Sequence, residues 1–215
     1  MSENETSLEP VRKLTKDLKQ AASTLSSDEA RFLVDSYYSM QKQRLTFNNQ
    51  AKALAKQGEP HEVLQWFAEE ASRLEKEVGK ALDYYTRPIP IAQWTRSICG
   101  IGPVIAAGLV AHIDIHQAPT VGHIWNFAGL DPNQEWKKGQ KRPWNAELKT
   151  LCWKIGESFN KNKGRESDVY GKILAHRKAE EEARNARGEF ADQAERKLER
   201  YNIGKTTDAY AAYSQ

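Results

Sequence analysis

Apolar side chains recur every three or four residues along most of the chain, which is the period of an α-helix. A first stripe covers roughly 14–25, and a longer one runs from Asp28 to Ala55. Ser26 and Ser27 precede the longer stripe, and small polar side chains of this kind cap the free N–H groups of a first helical turn. The pattern therefore predicts a short helix followed by a long one.

A second long stripe runs from Val63 to Tyr85 and stops at the two prolines of segment 87–90, which cannot continue a helix. Gly58 and Pro60 lie between the two long stripes, so a short turn should join the helices. Each helix would hold about 27–30 residues and extend for about 40–45 Å. We expect a long antiparallel helical hairpin of coiled-coil type. Its exposed stripe would pack on the rest of the chain or on a second copy as a homodimer.

The composition changes in region 91–163, which holds most of the glycines and five of the six tryptophans. The pattern predicts short helices near 91–98, 103–113 and 121–128, a polar loop, and a helix from Asn145 to about Asn160. Thr120 and Asn145 are the expected N-caps. The remaining chain carries a stripe of small residues that is interrupted at Gly188. We find no strand pattern and predict an all-α fold.

Three regions follow from this pattern as predicted domains. They are a helical hairpin at 1–88, a helix-hairpin-helix domain at 89–165, and a C-terminal helix with a tail at 166–215.

The sequence Cys-Gly-Ile-Gly-Pro at 99–103 predicts a tight turn between two helices. We expect Gly100 and Gly102 to adopt positive φ, Ile101 to point into the core, and Pro103 to open the second helix. The N–H groups of such a turn attract a phosphate oxygen, and the helix dipole adds to the attraction. The contact would position nucleic acid without reading its sequence. A turn with a purely structural role is the alternative.

The candidate phosphate-binding positions of this turn are Gly100, Ile101, Gly102 and Val104.

The formal net charge of the chain is only +3, so affinity for a polyanion must come from local clusters. Segment 136–149 carries five cations against one acid and includes Trp136 and Trp144. Its cations could neutralise phosphates and release counterions. The tryptophans either stack on an exposed base or anchor the loop in the core. The candidate cations of this loop are Lys137, Lys138, Lys141 and Arg142, a second cluster at Lys161, Lys163 and Arg165 would widen the patch, and Arg96 and Lys154 are weaker candidates.

Residues 98–132 resemble the C-terminal domain of the IS110/IS116/IS902 transposase family. The resemblance rests on Ile-Cys-Gly-Ile-Gly-Pro-Val-Ile-Ala-Ala from Ile98 and on Ala-Gly-Leu-Asp-Pro at 128–132, and it continues weakly to about Phe159. The family pattern is a helix-hairpin-helix followed by a helix that ends in Ala-Gly-Leu-x-Pro. The resemblance implies a DNA-binding scaffold related to a mobile element or phage. It also implies a guide RNA in some relatives, so RNA stays open as a partner.

Two departures from the family argue against an enzyme. Family transposases resemble RNase-H-like nucleases at their N-terminus, whereas this chain predicts two long helices there. The family also places a nucleophilic serine soon after Ala-Gly-Leu-x-Pro, but segment 133–142 contains no serine, and the nearest hydroxyls are Thr150 and Ser158. We therefore expect a non-catalytic DNA-binding protein. A divergent recombinase and a dimeric helical interaction scaffold stay open as alternatives.

We predict no metal site and no cofactor, and a monovalent cation at the hairpin stays open. His112, His116 and His123 are metal-ligand residue types, but the helix is expected to end before His116, which breaks their spacing. We expect Cys99 to fill the hairpin core rather than to act as a nucleophile.

The sequence also predicts the cellular setting. The two cysteines suit reduced thiols in the cytoplasm, and the polar N-terminus shows no signal peptide. The longest apolar stretch, 104–111, is too short to cross a bilayer, so no membrane is expected.

Overall fold

The computed structural model describes residues 13–56, 58, 62–204 and 206–207. These residues form helices joined by turns and loops, with no strand among them, which confirms the all-α prediction. The predicted turn residue Pro60 lies outside the described residues. The helices are α1 (Lys16–Ala22), α2 (Ser27–Ala55), α3 (Glu62–Thr86), α4 (Pro90–Arg96), α5 (Pro103–His112), α6 (Val121–Phe127), α7 (Ala146–Asn162), α8 (Tyr170–Ala186) and α9 (Ala191–Arg200).

Side-chain caps start three of these helices at the positions that the sequence predicts. Ser26 Oγ accepts from the N–H of Glu29, and the Glu29 carboxylate accepts in return from the N–H of Ser26 at 2.8 Å. The hydrogen bonds that the N–H and the hydroxyl of Ser26 donate to this carboxylate lower the pKa of Glu29. Thr120 Oγ1 accepts from the N–H of His123, and Asn145 Oδ1 accepts from that of Leu148 at 2.9 Å. Each cap satisfies an N–H group that has no partner inside its helix.

The helices α2 and α3 run antiparallel, because their side chains meet in opposite order. Arg44 of α2 bonds Glu75 of α3, and further along α2 the ring of Phe47 stacks on Phe67 with centroids 5.5 Å apart. Toward the other end, a Cβ added at Gly79 would lie 3.4 Å from Cε2 of Tyr37. One core cluster joins this pair to α5, and its buried residues are Ala30, Val34, Leu82, Tyr85, Ala107 and Ala111.

The small residues of α5 allow other helices to approach it closely. A Cβ added at Gly108 would lie 2.7 Å from Cδ2 of Leu151 on α7. A second core cluster lies on this side and contains the buried residues Ala128, Leu148 and Leu151, with Ile105 and Leu109 of α5 packed against it. Helix α5 therefore contacts α2 and α3 through one cluster and α7 through the other.

The chain divides into two compact units, one ending at Ile155 and the other beginning at Gly156, inside α7. The domain boundaries expected at 88 and 165 stay predictions. In the second unit, Asp168 Oδ1 accepts from the N–H of Gly171 at 2.8 Å, and the rings of Phe159 and Tyr170 stack. Helix α8 carries ion pairs between successive turns.

Within the described residues, no helix is both long and apolar enough for a transmembrane segment.

Candidate nucleic-acid interface

The glycine turn between α4 and α5 adopts most of the expected geometry. Gly100 has φ +95°, a left-handed conformation that favours glycine. Ile101 is buried, and its N–H donates to the carbonyl of Ile98 at 3.0 Å. Pro103 is the first residue of α5. The amide of Ile101 is therefore used inside the turn, whereas its side chain anchors the turn to the core.

Gly102 differs from the expectation. Its φ of −92° and ψ of 178° are extended backbone that any residue adopts, so the expected positive φ is not found. The residue is exposed, and a Cβ added there would meet nothing within 4 Å. Neither backbone conformation nor internal packing requires glycine at this position. Because Gly102 has no side chain, an external group can approach the backbone closely at this position.

Three N–H groups at the start of α5 are not used by hydrogen bonds inside the described structure. Those of Gly102, Val104 and Ile105 have no hydrogen-bond partner among the residues that the structure describes. Pro103 has no N–H group. The candidate phosphate-binding positions predicted from the sequence did not include Ile105. Its place in the chain could have indicated it, because the N–H group of the third residue of a helix has no partner inside the helix unless it is capped.

The polar loop after α6, residues 133–145, is held by its tryptophans. Trp136 Nε1 donates to the carbonyl of Gln140 at 2.8 Å, and the Arg142 guanidinium lies 5.3 Å from the centre of the Trp136 ring. The two tryptophan rings meet edge to face at 6.4 Å. The N–H of Asn145 donates to the carbonyl of Phe127 and closes the loop. These contacts favour the anchor interpretation of the tryptophans over base stacking.

The Ala-Gly-Leu motif at 128–130 ends α6 and receives one of these tryptophans. Gly129 has φ +65°, its N–H donates to the carbonyl of Asn126, and the N–H of Leu130 donates to that of Trp125. This pair of bonds is a Schellman cap, which needs a left-handed residue after the helix. A Cβ at Gly129 would lie 2.6 Å from the indole of Trp144. The glycine is therefore needed both for the helix cap and for the close packing of the Trp144 indole.

The cations of the loop are displayed to solvent. Lys137, Lys138, Lys141 and Arg142 are all exposed. Within the described residues, none of the four forms an ion pair with a carboxylate. Their charge is thus not neutralised by the described part of the chain.

The structure places the glycine turn and the cationic loop at opposite ends of α5. Gly102 precedes its first residue, whereas Asn145 Nδ2 lies 3.4 Å from Nδ1 of His112, its last residue. A ten-residue helix is about 15 Å long. Each strand of duplex DNA carries one phosphate per about 3.4 Å of the axis, so contacts about 15 Å apart would reach different phosphates. The two elements do not form a single pocket.

The two weaker cation candidates are engaged inside the fold. Arg96 bonds Asp83 at 2.5 Å and Thr86 at 2.9 Å. The ammonium of Lys154 lies 3.8 Å from the centre of the Tyr38 ring, and burial raises the pKa of Tyr38 to about 12. Both side chains have structural contacts that account for them. The exposed Lys161, Lys163 and Arg165 belong to the other compact unit, so their contribution to the patch stays a prediction.

The three histidines do not converge. His112 is buried at the end of α5, where burial lowers its pKa. His123 Nδ1 lies 2.6 Å from Thr120 Oγ1, and His116 follows the helix end, as expected. Among the described residues, no three metal-ligand side chains are grouped so that they could hold an ion.

The fold and the site define an all-helical protein with a glycine turn between two helices, followed by an anchored cationic loop. Residues 92–144 match the model of the transposase IS116/IS110/IS902 family. The match covers about a quarter of the chain and contains both quoted motifs, but it ends at Trp144, before α7 and Phe159. It suggests a mobile-element-related protein that acts on DNA. Comparison with curated proteins and with solved structures gives no match.

Proposed function

We propose that this protein is a non-catalytic, mobile-element-related DNA-binding protein that holds the phosphate backbone at both ends of α5. The observation that carries the proposal is Gly102. It is an exposed glycine with no conformational or packing requirement, and it adjoins amides that have no partner in the described residues. Close approach of a ligand to the backbone explains such a glycine.

The chemistry of the two contact points is complementary to a phosphate backbone. The start of α5 presents N–H groups at the positive end of the helix dipole, where anions bind. The exposed cations of the loop add attraction and release counterions. Neither the amides of the turn nor the exposed cations of the loop make a specific contact to a base edge, so binding to paired DNA should show weak sequence preference. DNA is the favoured partner. If the protein bound RNA more tightly than DNA of the same length, the proposed partner would be RNA instead. The free thiols of Cys99 and Cys152 are compatible with a cytoplasmic location.

The non-catalytic part of the proposal rests on the loop. Segment 133–142 contains no serine. The nearest hydroxyl, Thr150, lies on α7 and donates to the carbonyl of Ala146 at 2.9 Å. The residues described before α4 form helices and no strand, so they do not supply an RNase-H-like fold. Purified protein should leave plasmid DNA intact with added divalent metal, and metal-dependent nicking would favour the divergent recombinase.

The first test is the salt dependence of DNA binding in the Lys137→Ala/Lys138→Ala double variant. Each lost phosphate contact should reduce the slope of log K against log salt by about 0.9, so the slope should fall by about 1.8. Fluorescence anisotropy with a labelled duplex measures it. The control is Lys42→Ala/Lys52→Ala, which removes the same charge from exposed positions on α2. Equal slopes in both double variants would remove the loop from the proposal.

The second test is Gly102→Val. The added side chain points into open space, so the circular dichroism spectrum and Tm should stay near those of the parent. DNA affinity should fall about tenfold, roughly the 1.4 kcal/mol expected for a lost charge-assisted hydrogen bond. Gly156→Val is the control, since a Cβ at Gly156 also meets nothing within 4 Å. Unchanged affinity in Gly102→Val would show that the turn has a purely structural role.

One observation favours homodimerisation as a second property. The half of α3 remote from α5 exposes large apolar side chains, and Trp66 and Phe67 are 54% and 43% exposed. A second copy would cover them. Light scattering should then give twice the mass of the chain. A doubled mass without salt-sensitive DNA binding would favour the scaffold alternative.

A further inference from the structure

A cleft of about 870 Å³ opens beside the cationic loop, within the unit that ends at Ile155. It lies between the start of α2, the end of α5, α6 and the loop. Its apolar wall includes Ile113, Ile124 and Phe127. Phe127 is 42% exposed, so part of its ring is free to contact a ligand. The volume is within the range of small-molecule sites in proteins.

Two side-chain amides line this cleft and are joined to each other. Gln134 Nε2 donates to Asn126 Oδ1 at 2.5 Å. The Oε1 atom of Gln134 is buried and has no hydrogen-bond partner among the described residues, and neither has Nδ2 of Asn126. The linked amides thus retain unused N–H donors on Asn126 Nδ2 and one acceptor atom, Gln134 Oε1, without a partner. A buried acceptor without a donor is unfavourable unless a ligand or an ordered water supplies one.

The cationic loop borders the cleft. Gln134 and Pro143 are residues of both the cleft wall and the cationic loop, and Pro143 directly follows Arg142. Arg31 also lines the cleft, but its guanidinium donates to the carbonyl of Ala111 at 2.6 Å and pairs with Asp28, so its charge is engaged inside the fold. A strand whose phosphates lie on the loop would bring its bases to the mouth of the cleft.

We propose that the cleft binds the base of an unpaired nucleotide while the loop holds the adjoining phosphates. The donor of Asn126 and the acceptor of Gln134 complement a base edge that presents an acceptor beside a donor, such as N7 and the N6 amino group of adenine. The ring of Phe127 supplies a stacking surface. The inference rests on the proposed DNA binding and deepens it, since it names a nucleotide structure that the protein prefers.

The experiment compares two end-labelled DNA duplexes of one sequence, one fully paired and one with a single unpaired adenine, by fluorescence anisotropy. The parent protein should bind the second duplex about tenfold more tightly. Asn126→Asp keeps the acceptor for Gln134 but removes the donor, so the two duplexes should bind equally. Gln140→Glu is its charge control, because it adds the same charge on the loop outside the cleft and should weaken both duplexes while the preference stays.

A second variant blocks the cleft without changing the charge of the protein. Ala118 lines the cleft, and Ala118→Phe should abolish the preference while binding of the paired duplex stays unchanged. Equal affinity of the parent for both duplexes, or a preference that survives both cleft variants, would overturn the inference and leave the proposed function intact. Absence of salt-sensitive binding to the paired duplex would instead overturn the proposed function.

Discussion

Three glycines of the interface illustrate how one residue type serves different purposes. Gly100 supplies a left-handed turn, Gly129 ends α6 and accommodates an indole, and Gly102 has an ordinary conformation and open space beside it. The first two are explained by the fold. Neither the conformation nor the packing of the chain explains Gly102, so its role is better explained by contact with a ligand.

At Gly129 we predict a large loss of stability on substitution by alanine. The left-handed backbone costs a Cβ-bearing residue about 1 kcal/mol or more, and overlap with Trp144 adds a similar or larger amount. The free energy of unfolding in urea should fall by about 3 kcal/mol. Gly139→Ala is the matched control, since Gly139 has φ +93° but open space, and should cost about 1 kcal/mol. Equal losses at both sites would contradict a role for the indole.

Among the elements, the α2–α3 pair contains a polar contact in the middle of its otherwise apolar stripes, between Arg44 and Glu75. Glu75 is buried, and its carboxylate accepts from Arg44 Nε at 2.5 Å and from Gln41. Burial acts to raise the pKa of Glu75, but hydrogen bonds from Arg44, Gln41 and Tyr37 together lower it. The polar positions of the stripe thus find partners on the facing helix.

We predict that breaking this pair costs more than replacing it. Glu75→Ala leaves the Arg44 guanidinium, only about a quarter exposed, without its partner, and should lower the free energy of unfolding by about 2 kcal/mol. The double variant Arg44→Leu/Glu75→Leu removes both charges and should unfold within about 1 kcal/mol of the parent. Urea titration followed by circular dichroism measures both. A double variant less stable than Glu75→Ala would show that the ion pair is itself a net source of stability.

For the molecule as a whole, His112 lies where α5 meets other helices, and it should couple stability to pH. Burial lowers its pKa below the ordinary value of 6.5, and Arg31 acts in the same direction, while Glu147 and Asp35 oppose them. The unfolded chain therefore takes up a proton below about pH 6.5 that the folded chain resists. The contribution of His112 is fully present above that pH and is lost as the pH falls toward its folded value.

The test of this coupling is the variant His112→Gln, because glutamine has no titratable side chain. The urea midpoint of the parent should fall between pH 7.5 and pH 5.5 by more than that of the variant, at constant ionic strength. Burial and the nearby Glu147 raise the pKa of Asp35, so the folded chain binds a proton there more readily than the unfolded chain as the pH falls, which acts opposite to His112. Parallel pH profiles for the parent and His112→Gln would contradict the coupling.

The amino-acid sequence by itself determined the helices, their caps and the positions of the glycine turn and the cationic loop. Ser26, Thr120 and Asn145 cap as predicted, because helix ends depend on hydrogen bonds between residues three or four apart. These interactions are local, so the order of residues is sufficient to predict them.

Only the tertiary structure decided which groups remain available to a ligand. It engaged Arg96 with Asp83, separated the turn from the loop by the length of α5, and formed a cleft from segments as distant as Arg31 and Pro143. These outcomes depend on contacts between residues far apart in the chain. Helical period determines which face of a helix is apolar, but it does not determine which neighbour covers that face.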